Sequence, residues 1–218
     1  MIQLILDWSE VWAPVIVLVV YFLCKNKRIT GGLLVFTYII LAILLNTLAD
    51  IIWKYKHSMP PLFQSNHVLY NIHSIIRSTL FSIIFIQQLS GKNERIIRRV
   101  LLYLYLLFAI INFTLIQSIR IFSSYLFSAE GILLLLMSLP CLWDIFINEK
   151  NYNNKYHPLF WFAFGVCIYE AANFFIFVFY STLINSTSYI ARHIWDFHNL
   201  FYIFLCACLA KYIYESSR

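Results

Sequence analysis

The chain has 218 residues, 61% of them hydrophobic and only 12% charged, with a formal net charge of +6 and a mean hydropathy of +0.75. Soluble domains of this size are about 45–50% apolar and about a quarter charged, so the composition excludes a water-soluble globule. The surplus apolar surface has to meet lipid, and an all-α integral membrane protein is expected.

Apolar windows bounded by polar clusters predict seven spans in a single transmembrane domain covering residues 1–218. They fall at residues 11–24, 32–53, 68–89, 100–117, 121–147, 158–183 and 189–213. The first run follows an acidic start (Asp7, Glu10) without a basic leader, so it is expected to stay as a span rather than be cleaved. The breaks between spans carry helix-stopping chemistry, as in KNKRITGG, SGKNERIIRR and NEKNYNNKYHP. The runs are continuously apolar over helical lengths, which excludes a barrel of short alternating strands. The five cysteines (Cys24, Cys141, Cys167, Cys206 and Cys208) lie in or beside apolar runs and are expected as small buried hydrophobes rather than disulfides.

The basic residues set an orientation. Lys25, Lys27, Arg28, Lys92, Arg95, Arg98, Arg99, Lys150, Lys155, Lys211 and Arg218 fall on one side of the seven-span topology. Lys54, Lys56, Arg120 and Arg192 fall on the other, and Arg77 lies within a span. Eleven against four places the N-terminus outside and the C-terminus in the cytoplasm. The net charge is then a cytoplasmic rim facing anionic lipid, and no nucleic acid is needed to explain it. Within that rim, the turn bearing Lys92, Arg95, Arg98 and Arg99 is where an intracellular signalling partner would dock.

Ionisable groups inside a bilayer cost roughly 2.5–3.5 kcal/mol each on insertion scales and normally face the bundle interior. In chain order the candidates are Asn46 and Asp50 with Trp53 on span 2, then His67, Tyr70, Asn71, His73, Ser74, Arg77 and Ser78 on span 3. Span 5 carries Glu130, span 6 carries Glu170 and Asn173, and span 7 opens with His193, Asp196 and Asn199. All belong to the outer half or the centre of their spans, the trace that an outward-facing polar cavity would leave. Trp53, Tyr70, Tyr125 and Trp195 lie at matching depth and would give it aromatic walls. The bland alternative is a self-satisfied polar network in which one or two carboxylates neutralise Arg77.

Several chemistries meet this pattern unequally. No cofactor is expected. Zinc is the one metal that the residue types would suit, through His73, His193 and Asp196. His193 and His198 are five residues apart, which turns their side chains about 140° from each other. His193, Asp196 and Asn199 are therefore expected to form the inward stripe, with His198 as an aromatic-packed core residue. Membrane hydrolases similar to alkaline ceramidases pair histidines as HxxxH on the last span, and this chain does not. A retinal protein needs a mid-span lysine there, and Lys211 is at the end. A membrane-embedded hydrolase or transferase of lipid-type substrates would draw on Glu130 and Glu170 as acid and base, with His193 and Asp196 for activation. Pro140 would kink span 5, and Asn185-Ser186-Thr187 is a glycosylation sequon on the outer side.

The closing run RHIWDFHNLFYIFLCACLAKYIY, ending a seven-span chain of this length, resembles small seven-helix membrane proteins of Bacteroidota that are thought of as sensor-like. The resemblance carries no activity with it. The polar cavity confined to the outer half is what leads to the expectation of a receptor-like role in a bacterial cytoplasmic membrane, in which a small ligand enters from the outer side and the signal leaves through a partner. A membrane hydrolase is the alternative expectation, and a structural subunit of a membrane complex is the third. The charge asymmetry has a direct check. Green fluorescent protein fused to the C-terminus is expected to fluoresce and alkaline phosphatase fused there to be inactive; the reverse pattern would invert the topology.

Overall fold

The computed structural model describes residues 2–24, 31–58, 60, 65–88, 91–147, 157–180 and 188–218. These are helical throughout, with no strand among the described residues: α1 (Ile2–Asp7), α2 (Ser9–Leu23), α3 (Gly32–Tyr55), α4 (His67–Gln88), α5 (Lys92–Ile111), α6 (Ser124–Ile147), α7 (Pro158–Val178) and α8 (Ser188–Ser216). Six of them, α3 to α8, are long and apolar enough to cross a membrane, and the chain is a multi-pass integral membrane protein. The remaining predicted span, the first, at residues 11–24, overlaps α2, which has 15 residues. At 1.5 Å per residue it is about 22 Å long, short of the roughly 30 Å hydrocarbon core.

Helix neighbours form a closed ring. α2 packs on α3, α3 on α4, α4 on α6, α6 on α7, α7 on α8, and α8 returns to α2; α5 lies outside the ring against α4 and α6. The exposed face of α5 carries Tyr103, Leu104, Leu107 and Ile110, as a lipid-facing helix should. Inside the ring, Tyr38, Phe81, Phe85, Phe162, Leu205 and Tyr212 belong to one continuous apolar core.

Sequence chemistry accounts for several boundaries. Pro158 occupies the first turn of α7, where its missing N–H is harmless. The oxygen of Ser123 accepts the backbone N–H of Leu126, so Ser123 caps α6 and the helix starts three residues later than the predicted span. The predicted break at 90–99 is largely helix, because α5 begins at Lys92 with Glu94 in its first turn. At its other end, residues Asn112–Ile116 widen into a π turn closed by Gln117 N–H on the Asn112 carbonyl at 2.7 Å. α1 is a short helix that no apolar run announced. It is tied back by Trp12 Nε1 donating to the Ile5 carbonyl and Asn199 Nδ2 donating to that of Leu6.

Pro14 stands inside α2 and has no N–H for the carbonyl of Glu10, four residues earlier. That carbonyl accepts the side-chain amide of Asn46 at 3.0 Å instead. A gap in one helix is thus filled from its neighbour, fixing how α2 and α3 sit together. Four groups of described residues meet at the opposite end of the bundle. Gly31, with φ of 72°, ends the approach to α3 beside Tyr212, Ile84 and Gln88. Gln88 Nε2 donates to Tyr212 Oη at 3.4 Å.

The predicted sequon at 185–187 lies outside the described residues, as do Lys25, Lys27, Arg28, Lys150 and Lys155 of the basic rim; of Arg192 only the backbone is described. All four cysteines of α6 to α8 are buried, and none is in a disulfide. α7 and α8 approach most closely at Gly165, where a Cβ would stand 2.5 Å from Cys208 Cβ. Gly165→Ala is therefore expected to lower the thermal unfolding midpoint in micelles, at a cost of about 1–3 kcal/mol. Adding Cys208→Gly should return most of the loss.

Candidate functional site

The ring encloses a polar centre to which every ring helix contributes. α4 supplies Arg77, buried to 3% exposure, and α6 supplies Glu130 at 0%. Arg77 Nε donates to Glu130 Oε1 at 2.8 Å, and Nη1 donates to the Tyr169 hydroxyl of α7 at 2.7 Å. Ser74 Oγ, one turn before Arg77, donates to the second oxygen of Glu130 at 2.6 Å. Glu170, also on α7, stands 3.8 Å from Arg77 Nη2. Neither Glu170 oxygen accepts a hydrogen bond among the described residues, and Nη2 donates none. One guanidinium therefore serves two carboxylates but is hydrogen-bonded to one. Gly131 leaves space beside the other, since a Cβ there would come to 3.5 Å from Glu170 Oε2.

α8 adds His198, whose Nδ1 donates to Asn173 Oδ1 of α7 at 2.7 Å. Asn173 is oriented by donating from Nδ2 to the Tyr169 carbonyl. The other histidine nitrogen, Nε2, lies 3.4 Å from Glu10 Oε1 of α2. The imidazole stacks on Trp195 and meets the edges of Tyr169 and Phe177. His73 of α4 stacks on Tyr38 of α3, and its Nε2 has no hydrogen-bond partner among the described residues.

Two cavities adjoin this centre. The inner one, about 20 Å³, is walled by polar groups of Glu10, Asn46, His73, Arg77 and His198 and by aromatic rings. It has room for one water-sized group. The second, about 860 Å³, lies toward the end of the bundle where α3 stops and α4 and α8 begin; Asp7, Asp50, Lys54, His67 and several aromatic residues line it. Tyr70, Phe122 and Trp195 line both, so these three rings are the partition between chamber and vestibule. Phe122 is held in place by its own loop. Asn71 Nδ2 donates to the carbonyls of Ile119 and Ile121, while Ser123 N–H donates to Asn71 Oδ1.

The residues expected from sequence separate into groups. Asn46, His73 and Arg77 wall the chamber, Asp50 walls the vestibule, and Glu130, Glu170 and Asn173 back the chamber. Asn71 is instead the clamp of the α5–α6 loop, and Asn199 the tie to α1. His193 is 55% exposed and pairs with Asp196 at 3.5 Å; Gln3 Nε2 donates to Asp196 Oδ1 at 2.7 Å. Of the inward stripe expected from His193, Asp196 and Asn199, Asn199 is buried but His193 is not; His198 is the aromatic-packed core residue expected and in addition faces Glu10. The phase was legible further along α8, where Tyr202, Leu205, Leu209 and Tyr212 continue the ridge of His198 at helical spacing. Tyr125 is exposed rather than a cavity wall.

Glu10 and Tyr169 were not singled out. Glu10 shares a face with Ala13, Pro14 and Val17 of α2, the buried stripe of that helix. Tyr169 was one aromatic among many. Among the described residues no group of three or more His, Cys, Asp or Glu side chains could hold a metal ion, so His73 does not join His193 and Asp196. No protein-family model, curated protein or solved structure matches the chain.

Removing one partner from a buried ion pair leaves an uncompensated charge, at a cost of about 3–5 kcal/mol. Arg77→Met strands two carboxylates, whereas Glu130→Gln leaves Arg77 beside Glu170. Arg77→Met is expected to destabilise most, with Glu130→Gln and Glu170→Gln milder, in thermal unfolding followed by circular dichroism.

Proposed function

We propose that the protein is a receptor-like sensor of the bacterial cytoplasmic membrane. It has seven crossings, α2 being the short first one, and binds a small ligand from the outer side. The observation that carries this reading is the paired cavity. A vestibule within the usual 300–1,000 Å³ range of ligand sites adjoins a chamber walled by polar groups, two of which, His73 Nε2 and Arg77 Nη2, lack hydrogen-bond partners among the described residues. A buried polar group without a partner costs about 1–3 kcal/mol, which a ligand that bonds to it recovers. Charge asymmetry supports the orientation, since the vestibule lies at the end opposite Lys92, Arg95, Arg98 and Arg99. The Bacteroidota resemblance agrees with it.

Output in this reading passes through helices. His198 and Asn173 join α8 to α7 directly beneath the partition, so a ligand that moves Trp195 moves the ring stacked on it. The basic start of α5 then offers the docking surface for a signalling partner.

Thr47 lines the vestibule, and Thr47→Trp should fill part of it without touching the ion pair. Small-molecule extract of the host is expected to raise the unfolding midpoint of the native protein and not that of Thr47→Trp. A ligand at a hundredfold its Kd stabilises by about 2.7 kcal/mol. Equal responses from the two proteins, or none from either, would refute the reading.

A further inference from the structure

The charges around the vestibule do not balance. Among the described residues, Asp7 and Asp50 line it together with one cation, Lys54. Glu10 lies just beyond the aromatic partition in the chamber wall. The remaining chamber cation, Arg77, is already matched by Glu130 at 2.8 Å. Lys56, the next basic residue on α3's extension, is drawn onto the Trp53 ring at 4.0 Å. Glu10 has His198 Nε2 3.4 Å away, so among the described residues the vestibule itself sets two carboxylates, Asp7 and Asp50, against one ammonium, in a chain whose overall charge is +6. Asp50 and Glu10 also act on one another as like charges, and Asp50 has no hydrogen bond or ion pair among the described residues.

The walls between these carboxylates are aromatic. Tyr70 and Trp195 meet edge to face with ring centres 6.4 Å apart, and Phe122 lies against Tyr180 at 4.0 Å. Aromatic faces carry negative quadrupole density and attract a desolvated ammonium. An anion would be repelled by both wall types, and a neutral ligand would leave Asp50 unpaired. The chamber adds a polar end with unpaired nitrogens at His73 and Arg77, too small for more than one water-sized group.

We infer that the vestibule is a site for an organic ammonium: a primary or quaternary amine on an apolar or aromatic body, its cationic head between Asp50 and the Tyr70–Trp195 rings. This rests on the ligand-binding reading above and names the chemistry of that ligand. The same head group occurs on free amines and on ammonium-bearing lipids, and either source would satisfy the site.

The test uses the full chain in nanodiscs of phosphatidylglycerol, which has no ammonium. Four probes of matched body are compared: 4-phenylbutylamine, its N,N,N-trimethyl derivative, 4-phenylbutanol and 5-phenylpentanoate. At least one of the two cations is expected to raise the unfolding midpoint by about 5 °C or more at saturation and to quench tryptophan emission. Asp50→Asn should weaken that binding tenfold or more, and Asp50→Glu should restore most of it. Repeating the titration in phosphatidylethanolamine discs separates the sources. An undiminished response favours a free amine. A response lost to competition, with an Asp50-dependent rise in the midpoint of the probe-free protein, favours the lipid head group. Binding of the alcohol or the carboxylate in preference to both cations would overturn the ammonium inference and leave the ligand-binding reading standing. No response to any probe, with Asp50→Asn unfolding like the native protein in both lipids, would overturn the ammonium inference even if host extract still stabilises the protein.

Discussion

A guanidinium enclosed by apolar helices can persist only where its neighbours replace the water it lost, and Arg77 sets that demand at the centre of this bundle. Glu130 meets it by a charge-assisted hydrogen bond, Tyr169 by its hydroxyl, and Glu170 by charge alone. Ser74 in turn completes Glu130. These residues come from α4, α6 and α7, so the pair fixes three helices about one point. His198 and Asn173 then attach α8, and Asn46 attaches α2 to α3. Polar bonds of this kind add to close packing in holding membrane helices together, where the lipid supplies no hydrophobic drive for helices to associate.

The network is lopsided. The side of Arg77 facing Glu130 is saturated, whereas Nη2, both Glu170 oxygens and His73 Nε2 are not. A purely structural network tends to satisfy its members, because a half-satisfied one is worse than an apolar core. The unsatisfied groups cluster on the chamber and its rear wall, and the vestibule begins on the other side of three aromatic rings. Polarity is thus graded inward, from an acidic, aromatic antechamber to a dry ion pair.

Much of this was legible in the sequence for one reason: ionisable residues are so costly in lipid that their mere presence within apolar runs points inward. Arg77, Glu130, Glu170, Asn46 and Asn173 were found on that ground alone. What escaped was helical phase near the ends. α8 begins with polar residues on every side, so the stripe through His193 looked as good as the one through His198, and only the buried ridge further on distinguishes them. Glu10 lay outside the first apolar run and was taken for its flank. The roles of Asn71 and Asn199 depend on backbone carbonyls of distant segments, which side-chain patterns do not encode. The first apolar run does form a helix, α2, but at 15 residues it is shorter than a span needs, and Asn46 ties it to α3.

The close approach at Gly165 gives α8 a pivot. The Cys208 side chain packs there against the bare backbone of Gly165 in α7, and the contact sits unevenly along the rod. Trp195 is thirteen residues to one side, about 20 Å away, and Arg218 ten residues to the other, about 15 Å. A rigid tilt about that fulcrum moves the two ends in opposite directions in the ratio of those arms. Each ångström of displacement at Trp195 becomes roughly three quarters of an ångström, reversed, at the C-terminus. A single missing Cβ thus sets where along α8 any tilt against α7 would turn, with arms of nearly equal length on either side.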